Sequence, residues 1–331
     1  MSADKPPLIE VRRLTKNFTI KSKSFKKRPA TVHAVDNVSF AINEGETLGL
    51  VGESGCGKST LGRAILRLIP ATSGEVVYRG EDINGYPDKK MWQARKKLQI
   101  IFQDPYNSLN PRMVVEDLVG APLDIYKTVP PKERRSRIIS MLEDVGLGEQ
   151  HLHRYPHEFS GGQQQRIGIA RALILEPEFI VCDEPVSALD VSVRAQVLNL
   201  MQELQKKRGL TYLFISHDLS VVRRISNRVA VMYLGRIVEI SDRYRLYGNP
   251  LHPYTQALIS AIPIPDTKHV RTRHAATGDI PNPFAPPPGC HFHTRCPYAD
   301  ERCRQCSPEL QEIDENHWVA CHFSGAFVKK L

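Results

Sequence analysis

No stretch of this chain approaches the ~18 consecutive apolar residues that a membrane-crossing helix needs. The opening MSADKPPLIE also lacks the apolar core and small-residue cleavage site of a secretory leader. The chain is therefore expected neither to span a membrane nor to be exported. Cysteine is scarce ahead of residue 290, where only Cys56 and Cys182 occur, and without a secretory leader a metal site is a better first expectation for the cysteines than a disulfide framework. Internal repeats are absent, which removes solenoids and propellers. What is present is a chain of 331 residues, too long for one ordinary core of about 100–200 residues, so a large domain with an appendage is expected. Hydrophobic residues at 41% and charged residues at 24% match ordinary globular usage, and wholesale disorder is excluded. A formal charge of +9 suits phosphate ligands, nucleic acid or an anionic membrane surface without choosing among them. Part of it lies in Arg12, Arg13, Lys16, Lys21, Lys23, Lys26, Lys27 and Arg28, a run without acids that reads as a solvated loop between edge strands or as a phosphate- or lipid-attracting segment.

From Leu8 to Asn249, β-rich runs at 47–51, 98–102, 179–182 and 212–215 alternate with helical patterns at 58–68 and 193–207. This is an α/β pattern. Between Gln103 and Ser160 the strand signal disappears, and amphipathic patterns at 114–125 and 132–145 predict an all-helical insertion over about 104–177. After Pro253 the chain changes texture: Pro263, Pro265, Pro281, Pro283, Pro286, Pro287 and Pro288 break up regular structure before a cluster of cysteines. The expected division is therefore 1–250 for the main domain and 251–331 for a small C-terminal extension.

Gly52-Glu-Ser54-Gly55-Cys56-Gly57-Lys58-Ser59 fits the pattern G-x-x-x-x-G-K-S/T, directly after the apolar run TLGLV and before a helical run beginning at Thr60. Glycines at these spacings let consecutive backbone N–H groups turn inward around a phosphate, and the following helix adds the positive end of its dipole. Lys58 can then reach β and γ oxygens, and the Ser59 hydroxyl is a hard oxygen donor suited to Mg²⁺. A second acidic centre follows the apolar run 179–182, where Asp183 is placed for Mg²⁺ and Glu184 for orienting or deprotonating an attacking water.

Together with Ser160-Gly161-Gly162-Gln163 and its continuation to Arg166, these motifs resemble the nucleotide-binding subunit of an ABC transporter. Gln103 resembles the family's Q-loop glutamine, Ser187-Ala188-Leu189-Asp190 its D-loop, His217 its switch histidine, and Phe18 the aromatic that stacks on adenine. The resemblance implies an α/β P-loop NTPase fold of the ABC type with a helical subdomain, and an ATPase that uses ATP and Mg²⁺. It implies two subunits closing head to tail, with ATP on Lys58 of one covered by Ser160 and Gly162 of the other. Glu184, His217 and Gln103 would serve hydrolysis. Ser59, Gln103 and Asp183 would hold the metal. Phe18, Gly52, Ser54, Gly55, Cys56, Gly57, Lys58, Ser59, Thr60, Gln103, Ser160, Gly161, Gly162, Gln163 and Asp190 would line the nucleotide. Single motifs of this kind are weak, whereas six in the family's order are not. Pro105-Tyr106-Asn107-Ser108-Leu109-Asn110-Pro111, Arg154-Tyr155-Pro156-His157 and Leu251-His252-Pro253-Tyr254 read like the dipeptide and oligopeptide importer branch. That branch implies two integral membrane permease subunits, a second and usually different ATP-binding subunit, an external solute-binding protein acting indirectly, no nucleic acid, and a peripheral place on the cytoplasmic face of a bacterial inner membrane.

Five of the seven cysteines, Cys290, Cys296, Cys303, Cys306 and Cys321, fall in the last part of the chain. This Cys-rich extension resembles that of the importer branch, which implies a [4Fe-4S] cluster on Cys290, Cys296, Cys303 and Cys321. Four thiolates are the usual ligand set of such a cluster. The fifth thiol, Cys306, and the nearby His291, His293, His317 and His322 keep zinc open as an alternative, beside unligated thiols. Cys56 and Cys182 read as small buried thiols. A competing function, a soluble ABC ATPase acting on ribosome or DNA, would also suit the basic charge. It calls for two nucleotide domains in one chain or a long coiled coil between Gln103 and Ser160, and residues 104–159 show no heptad run.

Overall fold

The computed structural model describes residues 6–20, 30–262, 278, 279, 281, 282 and 284–324. The basic residues Lys21, Lys23, Lys26, Lys27 and Arg28, together with Pro263, Pro265 and Pro283, lie outside the described residues. The chain divides into two compact units, one of residues 6–8, 42–47 and 85–215, the other of 9–41, 48–84 and 216–324.

The second unit holds two sheets. In one, strands Ala30–Ile42, Ile9–Ile20, Ser73–Tyr78 and Glu81–Asp82 lie side by side in that order. Its long strands bury Ile9, Val11, Val38, Phe40 and Ile42, near the every-other-residue spacing of a half-buried strand. The other runs Gln311–Asp314, His317–Val319, Arg236–Asp242, Arg228–Tyr233, Thr47–Val51. Thr47–Val51 is buried at every position and pairs in parallel with Arg228–Tyr233, from Leu48 opposite Arg228 to Val51 opposite Val231. Such a run, apolar without alternation, is what a strand covered on both faces requires. The hairpin of residues 311–319 pairs antiparallel with Arg236–Asp242, Glu239 opposite Val319, so it is a structural part of this sheet. Helix Lys58–Ile65 is shorter than the expected 58–68 because Arg67 adopts a left-handed backbone, φ 50°, that cannot continue it.

In the first unit, strands Leu98–Ile101, Phe179–Asp183 and Thr211–Ile215 are parallel neighbours, with Ile101 opposite Cys182 and Asp183 opposite Ile215. Helix Val191–Arg208 joins the last two and buries Val197, Leu198, Leu200, Met201 and Leu204 before Gly209 ends it at φ 63°. Between residues 102 and 178 no strand occurs; helices Pro105–Ser108, Val115–Tyr126, Pro131–Asp144 and Gly161–Leu173 fill the interval. Lys127 at φ 49° ends the second of these, and Pro131 opens the third at a position where its missing N–H costs nothing. No helix among the described residues is long and apolar enough to cross a membrane.

Candidate functional site

The glycine-rich loop follows Thr47–Val51 and turns into helix Lys58–Ile65. At Gly57 the backbone has φ 107°, and a β-carbon there would stand 1.9 Å from the Ala34 carbonyl oxygen, so only glycine lets the chain pass. Gly57 is also the helix N-cap, and no side chain caps the first turn; its N–H groups are left for an anion. Lys58 is buried, and its ammonium donates to the carbonyls of Gly52 at 2.8 Å and Glu53 at 3.0 Å, with the Cys56 sulfur at 3.8 Å. Burial pushes the Cys56 thiol up, against the opposing pull of Lys58, so it stays a neutral wall residue. Ser59 and Thr60 are half-buried beside it, and Ser54 and Gly55 are exposed. In the same unit, His217 is exposed on a short turn held by Asp218 N–H donating to Ser216 Oγ at 3.0 Å. The Asp218 carboxylate accepts from the N–H groups of Ser220 and Val221 and starts the next helix. Phe18 is 39% exposed, its ring 4.9 Å from the Lys16 ammonium.

In the other unit, parallel pairing places the carboxyl ends of two strands side by side, where α/β sheets bind ligands. Gln103 follows one and Glu184 the other, and the Gln103 amide donates to Glu184 Oε2 at 3.1 Å. Glu184 is half-buried with a left-handed backbone, φ 47°, fixed by its own N–H donating to Ile215 O at 3.0 Å and by Ser187 Oγ donating to its carbonyl at 3.0 Å. Non-glycine residues held in this region cluster at functional sites. Asp183 is buried at 2% exposure. The exposed Ser160 caps helix Gly161–Leu173: its Oγ accepts from Gln163 N–H at 3.4 Å, while Gln163 Oε1 accepts from Ser160 N–H at 3.0 Å. This capping box makes Gln163 a brace for the serine. Gly162 is packed so closely that a β-carbon would meet Val193 Cγ1 at 2.3 Å. Asp190, exposed, precedes helix Val191–Arg208.

The cysteine segment belongs to the unit that carries the glycine-rich loop. Gly289 turns at φ 67°, and Cys290 N–H donates to Cys303 O at 2.8 Å. Burial pushes the Cys290 thiol up to about 12, and Cys303, Cys321 and Cys296 add to the shift. Burial likewise pushes Cys296 up to about 11, with Cys321 and Cys303 contributing. Cys321 is raised by burial and by Cys303. The four thiols that the resemblance selects thus act on one another, while Cys306 is exposed at the end of helix Glu301–Gln305. The four histidines are engaged elsewhere through one ring nitrogen each: His291 with Leu234 O at 3.0 Å, His293 with Cys290 O at 2.8 Å, His317 with Glu239 Oε1 at 2.7 Å, and His322 with Cys306 O at 2.9 Å. No group of three or more His, Cys, Asp or Glu side chains among the described residues is arranged to hold a metal ion. Sequence reasoning missed Arg295 and Tyr254, both of which touch Glu53 of the glycine-rich loop. No spacing rule joins positions so far apart.

Residues 35–187 match the family described as ABC transporter, and residues 238–303 match the oligopeptide/dipeptide transporter C-terminal region. The oligopeptide transport ATP-binding protein AppF of Bacillus subtilis is 51% identical over 324 residues, covering 97% of this chain and 98% of that protein. OppF of Haemophilus influenzae, an oligopeptide transport ATP-binding protein, is 50% identical over 326 residues, 97% and 98% of the two chains. Among solved structures, the ADP- and phosphate-bound dimer of the ATP-binding cassette MJ0796 superposes with a TM-score of 0.62 at 30% identity, covering 71% of this chain and 98% of that one. The cbiO1 subunit of Clostridium perfringens gives 0.63 at 27%, covering 73% and 91%.

Proposed function

This chain belongs to the ABC transporter family, and from that membership we propose that it is the ATP-hydrolysing subunit that energises import of dipeptides, oligopeptides or a related small solute through a membrane complex. What carries the reading is that the similarity to oligopeptide transport ATP-binding proteins runs through the nucleotide motifs and on into the C-terminal region at about half identity. The alternative of a soluble ATPase on ribosome or DNA has no comparable support. Residues 1–250 would form the nucleotide-binding domain, 104–177 its helical subdomain, and 251–331 the importer-type extension.

The reaction is the attack of water on the γ-phosphorus of ATP: a new P–O bond forms, the bond to the ADP oxygen breaks, and the water gives up a proton. Glu184 would take that proton. Its bond from Gln103 orients the carboxylate and ties it to a residue whose loop leads into the helical subdomain. Lys58 would leave its loop carbonyls for the β and γ oxygens, His217 would contact the γ-phosphate, and Phe18 would stack on the adenine. Ser160, Gly161, Gly162 and Gln163 of a second subunit would cover the nucleotide, with Asp190 beside it. Ser59, Asp183 and Gln103 supply only oxygen donors, which fits Mg²⁺. That ion, when bound, offsets the negative charge that gathers on the phosphates. Two permease subunits, a second ATP-binding subunit and an external binding protein acting indirectly complete the complex, which places the chain peripherally on the cytoplasmic face of a bacterial inner membrane.

For the cysteine segment the finer reading is a [4Fe-4S] cluster on Cys290, Cys296, Cys303 and Cys321, supported by the resemblance and by the mutual influence of these four thiols. Four thiols are the chemistry such a cluster takes, but no three metal-ligating side chains among the described residues are arranged to hold an ion, so binding must draw the cysteines together and release their protons. Anaerobically purified protein should contain iron and sulfide and show charge-transfer absorption that Cys296→Ser bleaches. Zinc alone in the preparation would turn the assignment to zinc, and neither metal would end it.

The transport reading is tested with tagged Glu184→Gln protein, which should bind ATP without turning it over and stay in its complex. Mass spectrometry of mildly solubilised membranes plus ATP should find two polytopic proteins and a second ATPase; ribosomal proteins instead would overturn it.

A further inference from the structure

Glu53 is a free choice in the phosphate-loop pattern, and a carboxylate there is electrostatically adverse to a triphosphate. The structure shows how the adverse charge is handled. Arg295, from the turn between Cys290 and Cys296, reaches the loop and donates through both terminal nitrogens to the Glu53 carboxylate, at 2.8 and 3.1 Å. Its guanidinium is nearly buried, its Nε has no partner, and it stands 5.8 Å from the Tyr233 ring and 6.0 Å from the Phe292 ring. The fork holds Glu53 through both terminal nitrogens, and Nη1 also donates to the Tyr233 hydroxyl at 3.5 Å. Tyr254, from helix Pro253–Ser260, accepts the Glu53 backbone N–H at 2.9 Å, and the Glu53 carbonyl accepts from Lys58. Every polar group of Glu53 is therefore held, two of the three by the C-terminal extension.

The fully buried Phe292 joins these grips: its ring lies 5.2 Å from Tyr233, edge-on, and 5.4 Å from Tyr254. A second route runs from the same turn. The His291 ring bonds to Leu234 O, and the next residue, Gly235, donates its N–H to Cys56 O in the phosphate loop at 2.9 Å. The two flanking cysteines thus bracket a turn that grips the phosphate loop directly at Glu53 and, by way of Leu234 and Gly235, at Cys56.

We propose that Arg295 is a positioning residue of the nucleotide site: it neutralises and fixes Glu53, so that the order of the cysteine-bearing turn sets the affinity for ATP. The inference rests on reading residues 52–59 as the nucleotide loop and goes beyond it by making the extension a regulator of that loop.

The test is equilibrium binding of ATP to the purified full-length chain, with the thermal midpoint of the nucleotide-free protein measured alongside. Arg295→Met should weaken ATP about tenfold, the scale of one uncompensated charge near the phosphates. Arg295→Met combined with Glu53→Gln should recover to within about threefold of the parent, because the repulsion goes with the charge. Arg295→Lys, which keeps a cation without the fork, should fall between. In turnover assays the Arg295→Met KM for ATP should rise with kcat nearly unchanged. Cys296→Ser should weaken ATP in the parent and add nothing in the Arg295→Met/Glu53→Gln background. ATP affinity unchanged by Arg295→Met, or a double variant as weak as the single one, would overturn the proposal. Lys58→Ala serves as the control: if it still binds ATP, the nucleotide-loop reading itself fails, whereas its loss with an unaffected Arg295→Met removes only the present inference.

Discussion

Glu239 is fully buried in strand Arg236–Asp242 and joins the extension to the sheet. Its carboxylate accepts from Leu251 N–H at 2.8 Å, His252 N–H at 3.0 Å and His317 Nε2 at 2.7 Å, so one side chain serves the entry to helix Pro253–Ser260 and the terminal hairpin together. Replacing it with leucine strands three buried donors, each worth about 1–3 kcal/mol when left unpaired. Part of that is returned because a buried charge has been removed, leaving an expected loss of about 3–5 kcal/mol, a large share of a typical total of about 5–15 kcal/mol. Glu239→Gln, which keeps an acceptor oxygen for some donors but sets an amide N–H against the remaining one, should lose about 1–3 kcal/mol. Urea unfolding reads this well, because Trp318 lies in the hairpin strand and Trp92 is the only other tryptophan. In a Trp92→Phe background, fluorescence reports the hairpin alone. If Glu239→Leu moves stability by less than about 1 kcal/mol, or leaves the Trp318 transition where it was, the three bonds do not hold the extension and the reasoning is wrong.

Gly57→Ala must force a β-carbon against the Ala34 carbonyl at an unfavourable φ, and a loss of at least tenfold in ATP affinity is expected by calorimetry; affinity within twofold would contradict the geometry. Burial holds the His252 ring down to about 4, with Glu239 opposing. An imidazole depressed from about 6.5 leaves the native state short of a proton that the unfolded chain takes up, so stability is intact above pH 6.5 and falls by roughly 3 kcal/mol as pH drops to 4. His252→Asn, which can still accept Tyr254 N–H, should flatten that part of the pH–stability curve; an unchanged slope would assign the loss to other groups.

Much of this architecture was legible from local pattern. The run TLGLV, the glycine spacing after it and the amphipathic patterns at 114–125 and 132–145 act over a few residues, so periodicity and turn chemistry sufficed to read a strand, a phosphate loop and helices. The carboxyl-end placement of Asp183 and Glu184 was readable for the same reason. Less was visible where distant segments meet. Gln311–Asp314 is exposed at every position and has no apolar alternation, so nothing local marks it as a strand. The capping role of Gln163, the left-handed backbone at Glu184 and the reach of Arg295 to Glu53 depend on tertiary packing that single-sequence spacing does not encode.

The hairpin that closes the C-terminal end of one sheet has a further consequence for assembly. Its outermost strand is only Gln311–Asp314, which carries Glu312 and Asp314 with a register irregularity between them. An open strand edge invites another chain to add on, and natural sheets deter this with short, charged borders. Two carboxylates on a four-residue border would repel a second copy of the same border, so indefinite edge-to-edge growth is blocked at this end. Contacts between copies are thereby left to other surfaces.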